Sequence, residues 1–283
     1  MRTDPSSSRL TNGLFVAVCL LIFAYLIFPI TIVIPISFSS SEFLEFPPKG
    51  LSLKWYKAYF SSEEWTTPTF QSLKVALLTM VLSTIIGTFA AFGLVRGNFR
   101  GKKLIHALII SPMILPQIIL AIGLYFLFAK WHLVGKTLGL VMGHLPMALP
   151  FVVVTVSATL YGFNRSLEEA AQTLGANRVK TFFYVTYPLI QPGILAGALF
   201  SFIISFDELI VALFICGTRG ITLPKRMFDC LKFEISPVIA SISTLLIILA
   251  ALVLLGSVFL HLKSERTQTK GGKGIAKETG FMG

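Results

Sequence analysis

Charge is scarce in this sequence: Asp, Glu, Lys and Arg together make 13% of the 283 residues, against 54% hydrophobic ones. With a mean hydropathy of +0.80, that scarcity excludes an ordinary water-soluble domain and points to a chain solvated by lipid. Acids are the rarer sign, 13 against 24 Lys and Arg, for a net charge of +11. No basic patch is interleaved with base-stacking aromatics in a soluble segment, so nucleic acid is not the expected partner; the bias of Lys and Arg toward cytoplasmic loops accounts for the excess. Cysteine is limited to Cys19, Cys216 and Cys230, without metal-ligand spacing. Cys19 reads as inert filling of an apolar run, and Cys216 and Cys230 could meet outside the membrane, although nothing demands a disulfide. His106, His132, His144 and His261 are scattered, with no HExxH pair, and read as interface residues rather than a metal or catalytic set. No G-x-x-x-x-G-K-[ST] occurs, so any ATP hydrolysis must come from another chain.

What is present is six long apolar runs, each able to cover the roughly 20 residues that a hydrocarbon core requires. They are Leu14 to Ile36, Phe70 to Val95, Leu104 to Phe128, Leu138 to Leu160, Gly193 to Cys216 and Pro237 to Leu260. The expectation is one membrane domain over 14–260, a cytoplasmic N-terminus over 1–13 and a disordered cytoplasmic tail over 261–283. Pro29 and Pro35 predict a kink or an unwound exit in the first run, and Pro112 and Pro116, and Pro146 and Pro150, predict breaks in the third and fourth, tolerable where neighbouring helices re-satisfy the freed carbonyls. Leu51 to Phe60 places Trp55 with Tyr59 and Tyr56 with Phe60 at i, i+4, and predicts a short helix at headgroup depth; a receptor-contacting loop is the alternative. Arg96, Arg100, Lys102 and Lys103 crowd one short loop, which orients it to the cytoplasm and places both termini there. No internal repeat suggests an ion-driven secondary transporter, the rival class.

One polar interruption, 161–192, divides the fourth run from the fifth. Ser166 and Glu169 have capping-box spacing, so the Ser166 hydroxyl is expected to take the Glu169 amide and a helix to begin near Leu167. Glu168 and Glu169 then lie at the positive end of its dipole. Leu167, Ala170, Ala171 and Leu174 share one apolar face, and Gly175 sits where a left-handed C-terminal cap is easiest. Such a helix is about two turns, roughly 12 Å long, and needs a groove to pack in.

Glu169-Ala170-Ala171, three residues, Gly175, nine residues and then Val185-Thr186-Tyr187-Pro188 resembles the EAA loop of permease subunits of bacterial ABC importers, whose pattern is EAA, x3, G, x9, I-x-L-P. Val stands here for Ile and Tyr for Leu, while Gly175 and Pro188 keep their places. The resemblance implies an all-α integral membrane protein of six transmembrane helices with the MetI-like fold of type I importer permeases, in the bacterial inner membrane. It further implies a cytoplasmic coupling helix docked in a cleft of an ATPase subunit, in an assembly of two permease subunits, two ATPase subunits that bind ATP and Mg, and an external solute-binding protein. A different permease chain is the expected second subunit, and no cofactor is expected in this one. Ser205-Phe206-Asp207-Glu208-Leu209, Lys54-Trp55-Tyr56 and Phe99-Arg100-Gly101-Lys102 look like the spermidine/putrescine branch, with branches for aminoethylphosphonate, ferric iron, thiamine or opines as alternatives.

Asp207 and Glu208 are the odd residues of the fifth run, since carboxylates inside a bilayer cost several kcal/mol unless paired or wetted. They read either as negative charge along a path for a cationic solute or as a structural pair, with Lys74 or a basic residue of a second subunit as partner. Gln117, between Pro116 and Ile118, either lines the same path or bonds a neighbouring helix.

Overall fold

The structure, a computed structural model, describes residues 5–218, 220–234 and 236–252. The expected tail and the last turns of the sixth run lie outside the described residues. In chain order the helices are α1 Pro5–Ser37, α2 Lys54–Ser61, α3 Glu63–Arg96, α4 Lys102–Ile110, α5 Gln117–Lys130, α6 Thr137–Gly162, α7 Ser166–Thr173, α8 Arg178–Thr181, α9 Tyr187–Asp207, α10 Ile210–Ile215, α11 Leu223–Phe233 and α12 Val238–Leu252. A 3₁₀ turn, Ser111–Met113, follows α4, and a π turn, Phe182–Thr186, joins α8 to α9. One antiparallel bridge, Ser39 with Leu51, is the only strand-like pairing among the described residues.

Among the described residues, four helical stretches are long and apolar enough to cross a membrane: Gly13–Ser37, Glu63–Arg96, Thr137–Gly162 and Arg178–Asp207. A fifth span exists if Lys102–Met113 and Gln117–Lys130, bent by 104°, count together. Proline acts differently in the three runs that carry it. The third breaks at Pro112 and Pro116, as its sequence predicts, but α1 and α6 run on through Pro29 and Pro35 and through Pro146 and Pro150. The fifth run departs the other way: α9 stops at Asp207 instead of continuing to Cys216, and α10 begins separately at Ile210.

The described residues form two compact units. One holds the chain up to Thr66 with Asp229–Ala250. In it α2 is tied to the loop after α1: Trp55 Nε1 donates to the Ser41 carbonyl at 3.2 Å, and the Tyr56 hydroxyl bonds Ser37 Oγ at 2.7 Å. Tyr59 is buried as well, so the aromatics expected at headgroup depth are largely used within their own unit.

The other unit holds Thr67–Phe228 and is built on α6, the most buried of its long helices, with α9 laid against it. Two apolar clusters fill it, one around Leu140, Val141, Val211 and Ile215, the other around Ala91, Val152, Val156 and Ile190. Hydroxyls supply the polar contacts between spans. On α9, Ser201 bonds Ser83 of α3 at 2.5 Å and Ser205 bonds His144 Nδ1 of α6 at 2.9 Å. Ser201 and Ser205 are one turn apart and share a face. His144 therefore belongs to this seam, buried, rather than to an interface as its scattered place in the sequence suggested.

Candidate functional site

The loop between α6 and α9 forms a two-turn helix, α7, displaced by one residue from the predicted bounds. Its start is not a capping box. Arg165 is already helical at φ −60° and ψ −25°, so Ser166 lies within the first turn, and Asn164 Oδ1 accepts the Ser166 amide at 3.0 Å. The Glu169 amide goes to the Arg165 carbonyl at 3.2 Å instead of to the Ser166 hydroxyl. The other end follows expectation. Gly175 has φ +91°, its amide reaches the Gln172 carbonyl at 3.0 Å, and the Ala176 amide reaches the Ala171 carbonyl at 3.0 Å. Those two bonds define a Schellman cap, which satisfies the carbonyls left over at a helix end.

The apolar face of α7 is turned outward. Leu167 is 48% and Leu174 88% exposed, Ala170 is exposed and Ala171 is half-buried. The one buried residue of the helix is charged: Glu168. Its Oε1 accepts from Thr186 Oγ1 at 2.8 Å, and its Oε2 lies 3.5 Å from Arg96 Nε. Thr186 closes the π turn that leads into α9, and Arg96 is the last residue of α3. The Arg96 guanidinium also lies over the Phe163 ring, 5.4 Å from its centre, just past the end of α6. Glu169, by contrast, pairs only with Arg165 at 3.4 Å, both side chains about two-thirds exposed, an arrangement worth little in water. Pro188 is exposed in the first turn of α9. The wider π turn before it suits a residue that has no amide to return to the preceding turn.

Sequence reasoning gave Glu168 only a dipole role and Arg96 only a topological one. An ion pair between positions so far apart has no local spacing to reveal it. The available signal was the cost of leaving an Arg and a Glu at the ends of apolar helices without partners.

The break in the fifth run separates the two carboxylates. Glu208 is buried and its Oε1 accepts the Val211 amide at 3.0 Å, capping α10. Asp207 is exposed at the end of α9 and, among the described residues, makes no ion pair; Lys74 pairs with neither carboxylate. Gln117 is exposed as the first residue of α5, immediately after the 104° bend, and bonds no other helix among the described residues. The structure thus assembles α7, Glu168, Arg96 and Thr186 into one constellation, leaves Asp207 and Gln117 open, and spends Glu208 on the backbone. Among the described residues no group of His, Cys, Asp and Glu could hold a metal ion, and Cys216 and Cys230 are both buried.

Apolar helices long enough to cross a membrane, two of the apolar runs broken, and an amphipathic helix offered outward from one loop describe an integral membrane protein with a surface open to a partner. Residues 83–267 match the family described as the inner membrane component of binding-protein-dependent transport systems, and the chain belongs to that family. It is 34% identical to the spermidine/putrescine transport system permease protein PotC of Escherichia coli over 272 residues, 95% of this chain and 99% of that one. It is 32% identical to the putrescine transport system permease protein PotI of the same organism, over 88% of this chain and 90% of PotI. The molybdenum transport system permease protein ModB of Haemophilus influenzae is 33% identical over 72% of this chain and 95% of its own. In fold, the chain matches a bacterial ABC transporter involved in the import of the acidic polysaccharide alginate, with a TM-score of 0.67 over 90% of this chain and 97% of that chain at 18% identity. The chain is thus an inner-membrane transport component with an ABC importer permease fold.

Proposed function

We propose that this chain forms the translocation path of an ATP-driven importer for a polyamine, spermidine or putrescine, handed over by an external binding protein. The observation that carries the reading is the outward apolar face of α7, Leu167, Ala170 and Leu174, on a helix whose other side is anchored to two spans. An exposed apolar face on a loop helix marks a surface for a partner to cover, and an ATPase subunit that binds ATP and Mg is the partner such a helix serves. A dimer of ATPase subunits and a second, different permease chain complete the assembly, with both termini of this chain in the cytoplasm. The polyamine assignment rests on relatives: both those named for putrescine cover most of the chain, and the molybdenum relative covers less of it. Asp207, exposed at the break after α9, is the carboxylate available to a passing cation, with Gln117 on the same path.

The test is uptake by proteoliposomes carrying the chain with the ATPase, permease and binding proteins encoded beside it. Labelled putrescine and spermidine should enter only with ATP inside, and Asp207→Asn should slow entry about tenfold, the loss expected for one charge-assisted contact. Uptake of ferric iron, aminoethylphosphonate, molybdate or thiamine in place of polyamine would overturn the substrate and keep the importer. Uptake driven by an ion gradient without ATP would overturn the importer.

A further inference from the structure

The apolar face of α7 and its anchor are different parts of the same short helix. At about 100° per residue, the Leu167, Ala170, Ala171 and Leu174 side chains centre roughly a quarter-turn or more away from Glu168. Only Glu168 is buried against the unit. A force applied to the apolar face therefore has one buried side chain through which to reach the spans.

That side chain holds two of them at once. One carboxylate oxygen takes the Thr186 hydroxyl at 2.8 Å, at the entry to α9, and the other faces Arg96 Nε at 3.5 Å, at the exit of α3. The two grips are unequal. The first is a full hydrogen bond, whereas 3.5 Å is well beyond the roughly 2.7–2.9 Å of a charge-assisted one. Arg96 Nε and Nη2 are both buried with no hydrogen-bond partner, and the guanidinium rests on the face of Phe163. A buried guanidinium with unused donors is costly, and a shift of α7 toward α3 by about 0.6–0.8 Å would turn the loose pair into a bonded one. The π turn Phe182–Thr186 on the other side, packed by Phe182 edge-on to Phe92 at 5.7 Å, is a segment whose pitch differs from the helix it joins; such turns are sites where helices adjust.

We propose that Glu168 is the pivot through which displacement of α7 reaches the spans, with Thr186 its fixed attachment to α9 and Arg96 its adjustable attachment to α3. Glu168, Arg96 and Thr186 are positioning residues in this scheme: they touch neither solute nor nucleotide. The inference rests on the importer reading and adds to it the intrachain route by which a partner's motion is passed on.

The experiment measures solute moved per ATP hydrolysed in proteoliposomes of the complete complex, for the wild type, Glu168→Gln, Thr186→Val, Arg96→Glu, and the exchange Arg96→Glu with Glu168→Arg. Each single variant should still co-purify the ATPase subunit, because the apolar face is untouched, and should lower the transport-to-hydrolysis ratio about tenfold, the usual size of a coupling effect. The exchange should recover at least about threefold of that loss, which a merely misfolded helix would not. Glu168→Gln with an unchanged ratio would overturn the pivot. Loss of the ATPase subunit from Glu168→Gln would overturn it too, by making Glu168 part of the docking surface. A wild-type complex without ATP-dependent uptake would instead remove the importer reading on which the pivot stands.

Discussion

At the scale of single residues, the clearest requirement is at Gly175. Its φ of +91° closes both bonds of the cap on α7, and a Cβ added there would meet nothing within 4 Å. Any cost of substitution is therefore backbone strain, about 1–2 kcal/mol for a β-branched residue held in the left-handed region. Gly175→Val should loosen the end of α7 and lower uptake several-fold, whereas Gly175→Asn, which tolerates that region, should stay near the wild type. Equal uptake by both variants would mean the cap geometry is dispensable. This glycine was legible because its position after an apolar face leaves few conformations. The start of the same helix was not, because capping depends on backbone angles that spacing does not carry. Phe163 leaves α6 extended, at φ −90° and ψ 130°, and the helical turn already includes Arg165, so Asn164, two residues before Ser166, offers its Oδ1 to the Ser166 amide. Glu168 was hidden for a related reason: its partners come from α3 and the π turn, and only folding brings them together.

At the scale of elements, the seam between α6 and α9 depends on small residues that let the two helices approach. A Cβ at Gly197 would stand 3.0 Å from the Val152 backbone and 2.6 Å from Thr155 Oγ1; one at Gly193 would collide with the Thr159 side chain. Thr155 Oγ1 already donates to the Phe151 carbonyl at 2.8 Å, so it cannot swing away freely. Gly197→Ala should thus force the helices apart and cost about 1–3 kcal/mol, visible as a lower midpoint of thermal unfolding in detergent. An unchanged midpoint would show that the seam has slack the packing does not suggest. The apolar stretches themselves were readable from hydropathy, as was the bend at Pro112 and Pro116, but not their ends: the helix expected over Phe70 to Val95 runs from Glu63 to Arg96. The continuity of α6 through Pro146 and Pro150 was not readable, nor was the break after Asp207, since hydropathy reports how apolar a run is and is blind to backbone direction. Burial does not separate the cases: α6 is largely buried in its unit, whereas α1 runs on through Pro29 and Pro35 with its apolar stretch unburied.

At the scale of the whole molecule, α6 supplies the test of orientation. Its 26 residues span about 39 Å, enough to cross the hydrocarbon core, with Trp131 just before it and the Leu174 loop just after. Trp131 is 58% and Leu174 88% exposed, so a cysteine at either is open to reagent. The native Cys216 and Cys230 are buried and Cys19 sits within α1, which keeps the background low. Arg165, Arg178 and Lys180 flank the Leu174 end, and Arg96 to Lys103 lie in the other loop expected inside; dense Lys and Arg in short loops favour the cytoplasmic side. A membrane-impermeant maleimide added to spheroplasts should therefore label the Trp131→Cys variant and spare the Leu174→Cys variant until the membrane is opened. The reverse pattern would put α7 outside, out of reach of any partner that hydrolyses cytoplasmic ATP. Glu168, Arg96 and Thr186 would then brace a loop against its own spans with no force to transmit, and the apolar face of α7 would need an external protein to cover it.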